Sequence, residues 1–245
     1  MRSKRAKIEP KPDPVETRGT VSKEERVLLE CPKNASFSDV DMRGFSDTVW
    51  ESLEGLTVCI NTPKVKLEFL KNFPGLRKLT LKPGRRDASP RLSNLTDLAS
   101  CHQLGFLSIE DGFDVRSLNG IEFCQRLSRI ELAGVNCNIQ VLSTLPKLIT
   151  LKIIRSKNIG QVLDGNSWEE YPKLSVLEIR DCPGLRSGTL AGLNVRELTV
   201  HGCELRRIDK INMSRLTCLW IGHNQIRDIR PLLKKSDNLV YLDIS

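Results

Sequence analysis

The sequence predicts an α/β repeat solenoid, with a concave parallel β-sheet of about nine strands joined by mostly 3₁₀ or irregular turns on the convex side. The first observation is a recurring LxxLxL pattern with conservative replacements, found nine times. The second is its spacing of 21 to 28 residues, which is typical of repeat proteins. The third is an apolar or thiol residue three positions before seven of the nine matches. The matches begin at Leu53, Leu76, Leu104, Leu127, Leu148, Leu174, Val195, Leu216 and Leu239.

Each match predicts one strand of the sheet, and neighbouring coils must stack because one coil cannot bury its own apolar edge. The most regular coil, LTCLWIGHNQIRDIRPL at residues 216–232, resembles the leucine-rich repeat class with the pattern LxxLxLxxNxIxxIxxL. Internalins, a nuclear regulatory subunit of protein phosphatase-1 and a spliceosomal protein share that class. The resemblance extends from Leu53 to the end of the chain. The longer repeats from Leu76 and Leu148 have room for a short helix or an inserted loop.

Three segments divide the chain. Residues 1–30 are rich in Pro, Lys and Glu and predict a flexible basic tail. Within it, the run RSKRAK from Arg2 to Lys7 has the composition of an import signal or of a solubilising tail. Residues 31–52 contain FSDVDM, which predicts an N-terminal cap strand, and residues 53–245 form the repeat domain. Because the sequence stops inside the ninth repeat, we expect a fragment, or an end that is closed by a partner or by self-association.

The ninth position of a repeat predicts an inward side chain that satisfies backbone groups of adjacent coils. Asn224 and Asn61 supply the expected amide there, whereas Cys182 and Cys203 replace it in two other repeats. Gly or less suitable side chains fill this position in the middle of the array. We therefore expect lower local stability in the middle.

The cysteines are expected to be mainly small apolar core residues. Cys182 and Cys203, like Cys101 and Cys124, are about one repeat apart, so a disulfide within either pair remains an alternative. The sequence has no CxxC pair, and His201 and Cys203 should face opposite sides of their strand. No metal site or cofactor is expected.

The third, fifth and seventh positions of each repeat should face the concave side and carry the function. At the C-terminal end they include Trp220, Tyr241, His201 and Cys218, a composition typical of a protein interface. Phe106 lies at a third position nearer the N-terminus. The middle alternates in charge, which suits either a charge-matched partner or ion pairs within the sheet. Its residues are Arg129, Glu131, Lys152, Glu178 and Arg180.

The net charge is +8, and residues 64–91 hold nine Lys or Arg against two acidic residues. Such a patch attracts phosphate, but stacking aromatic residues, which single-strand readers require, do not interleave it. The expected patch comprises Arg77, Lys78 and Lys82 on a strand, followed by Arg85 and Arg86.

The chain shows no nucleophile elbow, P-loop or dinucleotide fingerprint, so neither an enzyme nor a small-molecule substrate is expected. No apolar run is long enough to span a membrane, and no hydrophobic segment of a secretory signal follows the basic start. We therefore expect an intracellular protein-interaction scaffold that binds its partner on the concave face. The alternatives are a phosphatase regulatory subunit, which the shared repeat class suggests, and a ribonucleoprotein component that binds RNA through basic patches. An internalin-like adhesin is disfavoured by the absent signal.

Overall fold

The structure, a computed structural model, describes residues 34–38, 52–85, 89–235 and 237–245. The predicted basic tail, Arg86 and most of the predicted cap lie outside these residues. Twelve strands are described, of which ten form one parallel sheet in the order β1-β2-β3-β5-β7-β8-β9-β10-β11-β12. Their bounds are β1 Asn34–Ser38, β2 Gly55–Ile60, β3 Lys78–Pro83, β5 Phe106–Ile109, β7 Arg129–Ala133, β8 Thr150–Ile154, β9 Val176–Arg180, β10 Glu197–His201, β11 Cys218–Trp220 and β12 Tyr241–Asp243.

Nine of these strands begin at the third residue of a LxxLxL match, so the predicted period is confirmed strand by strand. Neighbouring strands pair at identical repeat positions, as Leu79 with Leu107 and Leu177 with Leu198 show. The apolar first, fourth and sixth positions consequently point to one side and stack into a continuous core. Leu79 and Leu81 are fully buried there.

The tenth strand, β1, lies earlier than the sequence predicted. It covers NASFS rather than FSDVDM, and Asn34 pairs with Gly55, 21 residues further along the chain. This offset is a regular repeat period, whereas the predicted cap strand lay only 16 residues before the next match. The pattern was missed because PKNASF has Pro and Ala where the other repeats have larger aliphatic residues.

The connections on the side of the core opposite the sheet are short, as expected. They are the 3₁₀ turns Glu68–Asn72, Thr96–Ser100, Ile121–Phe123, Gln140–Thr144, Trp168–Glu170 and Ser187–Leu190, with α-helices Ile159–Val162 and Arg230–Lys235. The first α-helix occupies the 26-residue repeat, where the sequence left room for one. After the predicted insertion, the 28-residue repeat forms β4 Arg91–Leu92, which pairs with β6 Asp114–Val115 in a small second sheet. No helix among the described residues is long and apolar enough to cross a membrane.

Candidate functional site

The third, fifth and seventh repeat positions form the solvent-facing side of the ten-stranded sheet, called here the open face. Core residues alternate with them along each strand, because successive strand side chains point to opposite sides. The burial of β7 shows this alternation: Ile130 and Leu132 are fully buried, whereas Arg129 is exposed. The open face divides into an aromatic end, a charged centre and an N-terminal part.

The aromatic end consists of Trp220, Tyr241, Cys218 and His201. Cys218 pairs directly with Tyr241 across β11 and β12, while Trp220 pairs with Asp243. The Trp220 and Tyr241 rings pack against each other with centroids 5.2 Å apart and an interplanar angle of 41°. Tyr241 is nevertheless 49% exposed, and Trp220 is half-buried. The sheet therefore holds two aromatic rings in a fixed arrangement and leaves part of their apolar area in water.

Two imidazoles lie beside these rings at the ends of the strands. The rings of His201 and His223 meet edge to face with centroids 4.6 Å apart. His201 Nδ1 is 4.0 Å from Asp181 Oδ1. On the neighbouring strand, hydrogen bonds from Ser245 lower the pKa of the Asp243 carboxyl below its usual value of 3.8, with smaller contributions from the two histidines. These groups supply hydrogen-bonding capacity at the margin of the aromatic end.

His223 and Asp181 were not predicted from the sequence, because both occupy the eighth repeat position, which the pattern does not assign to the open face. Both adopt a left-handed backbone conformation, with φ of 54° and 53°. Arg155 does the same at the eighth position of an earlier repeat, and Gly134 and Gly202 have positive φ at theirs. The chain therefore turns out of each of these strands at a fixed position. The available signal was the position itself, one residue before the inward-facing ninth position of the repeat.

In the charged centre, the alternating charges pair with one another. Lys152 Nζ lies 2.9 Å from Glu178 Oε2 and 3.7 Å from Glu131 Oε1, and so connects three strands. Arg129 pairs with Glu131 at 2.5 Å, and Arg180 pairs with Glu178. Between the two alternatives for this region, the geometry favours ion pairs within the sheet. These charges are already compensated before any partner arrives.

Phe106 adjoins the charged centre rather than the aromatic end. The Arg129 guanidinium lies over its ring, 5.6 Å from the centroid, which is within the range of a cation–π contact. The ring is half-buried. Phe106 thus forms part of the intramolecular network.

The described residues of the predicted basic patch lie in different surroundings. Lys82 is neutralised by Glu110 at 3.0 Å, and the hydrogen bond and charge of Glu110 raise the pKa of the Lys82 ammonium above its usual value. Arg77 precedes β3, at the edge of the sheet rather than on the open face. Lys78 and Arg85 are exposed, while Arg86 lies outside the described residues.

The side chains at the ninth repeat positions are called here the ladder. Among them, Asn224 hydrogen-bonds the backbone of adjacent coils most completely. Its Oδ1 accepts hydrogen bonds from the backbone N–H groups of Cys203 at 3.1 Å and Leu205 at 3.0 Å. Its Nδ2 lies within hydrogen-bonding distance of three carbonyl oxygens, including that of Val200 in the preceding repeat at 2.7 Å. Asn61 differs from the expectation because it is exposed, and its amide donates to the Cys59 carbonyl two residues earlier.

Cys182 and Cys203 continue the ladder with buried thiols. Cys203 Sγ lies 3.4 Å from the Ile179 carbonyl oxygen, and Cys182 Sγ accepts the Ser156 N–H at 3.3 Å. The Cys182 and Cys203 thiols donate to the carbonyls of Arg180 and His201, each at 3.1 Å, and the interaction between the two thiols lowers the pKa of Cys182 and raises that of Cys203. Burial raises the pKa of Cys101 to about 11 and that of Cys124 to about 12.

All seven described cysteines are free thiols in this structure. Within the described ranges, no group of three or more His, Cys, Asp and Glu side chains is arranged to hold a metal ion. His201 and Cys203 face opposite sides as expected, since Cys203 is buried and His201 is half-buried at the open face.

Known structures resemble this chain, although no protein-family model and no curated protein matches it. In the mouse RP105/MD-1 complex, a chain is 14% identical with a TM-score of 0.59; the match covers 87% of this chain and 38% of that one. For internalin C2 from Listeria monocytogenes the identity is 18% and the TM-score is 0.41, and the match covers 84% of this chain and 83% of that one. For the APL1 leucine-rich repeat domain the identity is 16% and the TM-score is 0.46, and the match covers 84% of this chain and 52% of that one. The likeness to the mouse chain, with the repeating parallel sheet, shows a leucine-rich repeat fold.

Proposed function

We propose that this protein is an intracellular, non-catalytic interaction scaffold that binds a protein partner on the open, concave face, with Trp220 and Tyr241 as the anchor. The observation that carries the proposal is the contacting, tilted pair of rings, which is fixed by the sheet and partly exposed. An aromatic side chain can bury 150–250 Å² in an interface, and rigid Trp and Tyr residues are enriched at binding hot spots.

The surroundings of the ring pair favour a protein surface as its ligand. Each charged side chain of the charged centre next to it is paired with an opposite charge in the sheet, so a partner that contacts both regions does not have to compensate unpaired charges there. His201 is half-buried and His223 is exposed at the margin of the rings, where polar groups surround the apolar contact in a typical interface.

The test is quantitative affinity purification with wild-type protein and with Trp220→Ala/Tyr241→Ala. Loss of one hot-spot ring typically costs about 2 kcal/mol or more, which is roughly 30-fold in affinity. We therefore expect the double variant to bind at least one specifically captured protein with an affinity that is lower by roughly 30-fold or more. Binding of the purified partner to both proteins then gives the affinity ratio directly.

The matched control is Phe123→Ala, which removes an aromatic ring that is 50% exposed and lies at the end of a 3₁₀ turn away from the open face. This variant should capture the same proteins as the wild type. Identical capture by wild type and the double variant would refute the anchor, provided that circular dichroism shows both to be folded.

A further inference from the structure

The edge of the sheet where the strands begin carries a row of positive charge. Two positions per repeat lie at this edge: the residue before the first position of LxxLxL, and the second residue of the pattern. In each of five consecutive repeats, one of these two positions holds a Lys or Arg and neither holds an acidic residue. The five residues, called here the basic edge, are Arg126, Lys147, Lys173, Arg196 and Arg215.

Backbone hydrogen bonds place these repeats in direct succession at the edge. The Ile149 N–H donates to the Ser128 carbonyl at 2.8 Å, and the Ser175 N–H donates to the Ile149 carbonyl at 2.9 Å. The same pattern continues through Arg196 to Thr217. Adjacent parallel strands are about 4.8 Å apart, so five repeats form a row roughly 19 Å long.

The cations of the basic edge are exposed, and within the described part of the chain none of them forms an ion pair. Among the described residues, Arg126 donates to the neutral amide oxygen of Gln103. The opposite edge differs, since Arg155 pairs with Asp111 at 3.0 Å. Like charges on neighbouring strands repel and do not stabilise the fold. Their summed field, however, attracts an anionic ligand.

An apolar side chain lies within this row, in its second repeat. Ile149 is 45% exposed and occupies the second position of the repeat that Lys147 precedes. The edge positions of these five repeats contain no aromatic residue on which unpaired bases could stack. This combination fits carboxylates that flank an apolar side chain better than it fits a nucleic acid backbone.

We propose that the basic edge binds an extended acidic segment of a partner protein, whose carboxylates pair with the cations and whose apolar residue covers Ile149. This surface is separate from the aromatic end, so the proposal does not depend on the anchor described above.

The test uses a fluorescein-labelled peptide of twelve residues, made of Asp and Glu around a central Leu, in fluorescence anisotropy titrations. We expect Lys147→Glu/Lys173→Glu to weaken binding at least 10-fold and Ile149→Ser to weaken it about threefold. Raising salt from 50 to 200 mM should weaken binding of the wild type, because the attraction between the charges is screened. Trp220→Ala/Tyr241→Ala should bind the peptide as the wild type does.

The matched control is Lys157→Glu/Lys210→Glu, which changes the net charge equally at two exposed lysines outside the edge. This variant should bind within twofold of the wild type. Equal losses in the two charge-reversal variants would overturn the proposal, as would undetectable peptide binding at 50 mM salt. A twelve-nucleotide single-stranded RNA that binds more tightly than the peptide, and depends on the same lysines, would overturn it in favour of nucleic acid. Thermal unfolding of each variant verifies that it is folded.

Discussion

The charged centre and the aromatic end occupy equivalent positions of the same sheet but leave different chemistry available. In the charged centre, Lys152 connects Glu131 and Glu178, so the charges are compensated across the strands. At the aromatic end, Trp220 and Tyr241 contact each other yet retain exposed ring area. On the open face the densest charge therefore belongs to a structural network, while the ring area that stays exposed at the aromatic end is apolar.

The hydrogen bonding of the interior beneath the two regions also differs, and it is more complete under the aromatic end. Under the C-terminal repeats, Asn224 connects backbone groups of two coils. In the earlier repeat from Leu148, the ladder position is Ser156, whose buried Oγ lies near the Cys182 thiol without hydrogen-bonding geometry. The residues of the aromatic end are thus supported by a more complete ladder than those of the charged centre.

The largest effect on stability is expected from Asn224→Ala. This change leaves the buried N–H groups of Cys203 and Leu205 without their acceptor, at roughly 1–3 kcal/mol for each unsatisfied group. We expect the free energy of unfolding in urea to fall by about 3 kcal/mol.

Asn136→Ala is the matched control, because this exposed asparagine makes one local hydrogen bond to the Gly134 carbonyl at 3.3 Å. It should cost less than about 0.5 kcal/mol, as most exposed substitutions do. Similar losses in the two variants would contradict the ladder role of Asn224.

A smaller effect of opposite sign is expected from Ser156→Ala. Removing a buried hydroxyl that has no adequate partner relieves its desolvation cost, so stability should rise by about 1 kcal/mol. Ser100→Ala provides the contrast, because Ser100 Oγ donates to the Asp97 carbonyl at 3.1 Å and its loss should destabilise. Chemical denaturation of both variants gives the sign of each change in the free energy of unfolding. Destabilisation by Ser156→Ala would show that the Ser156 hydroxyl has a hydrogen-bond partner.

The smallest effect concerns the charged centre and depends on pH. Burial would raise the pKa of the Glu178 carboxyl, but hydrogen bonds and charges from Lys152 and Arg180 outweigh it and lower the pKa below its usual 4.5. A depressed pKa in the folded state stabilises the fold above the unfolded value, and this contribution disappears as pH falls through the folded value. Glu178→Gln should therefore cost roughly 1 kcal/mol at pH 7, and the difference should shrink below about pH 4.5.

Urea denaturation of wild type and Glu178→Gln between pH 7 and pH 3 measures this difference. Glu197→Gln is the control on the same face, because Glu197 is exposed and takes part in no ion pair within the described residues. Glu197→Gln should leave the free energy of unfolding nearly unchanged across this pH range. A pH-independent loss in Glu178→Gln would indicate a packing role instead.

Much of the fold was predictable because repeat position alone decides which way a strand side chain points. The nine predicted strands, the pairing of equivalent positions and the exposure of Trp220 and Tyr241 at the open face all follow from the pattern. The prediction was wrong where the pattern was weak: β1 has Ala35 and Phe37 in place of the usual aliphatic pair and was placed too late in the chain. Asn61 has the expected residue type but not the expected inward position.

The sequence by itself determined the period, the parallel sheet and the residues that share its open face, because these depend on the periodic burial of apolar side chains. Only the tertiary structure decided which charges are compensated. Arg155 pairs with Asp111 two repeats away, Lys152 joins two carboxylates on neighbouring strands, and the basic edge is left without ion pairs in the described residues. Such pairing depends on side-chain reach across stacked coils, and the spacing along the chain does not specify that distance.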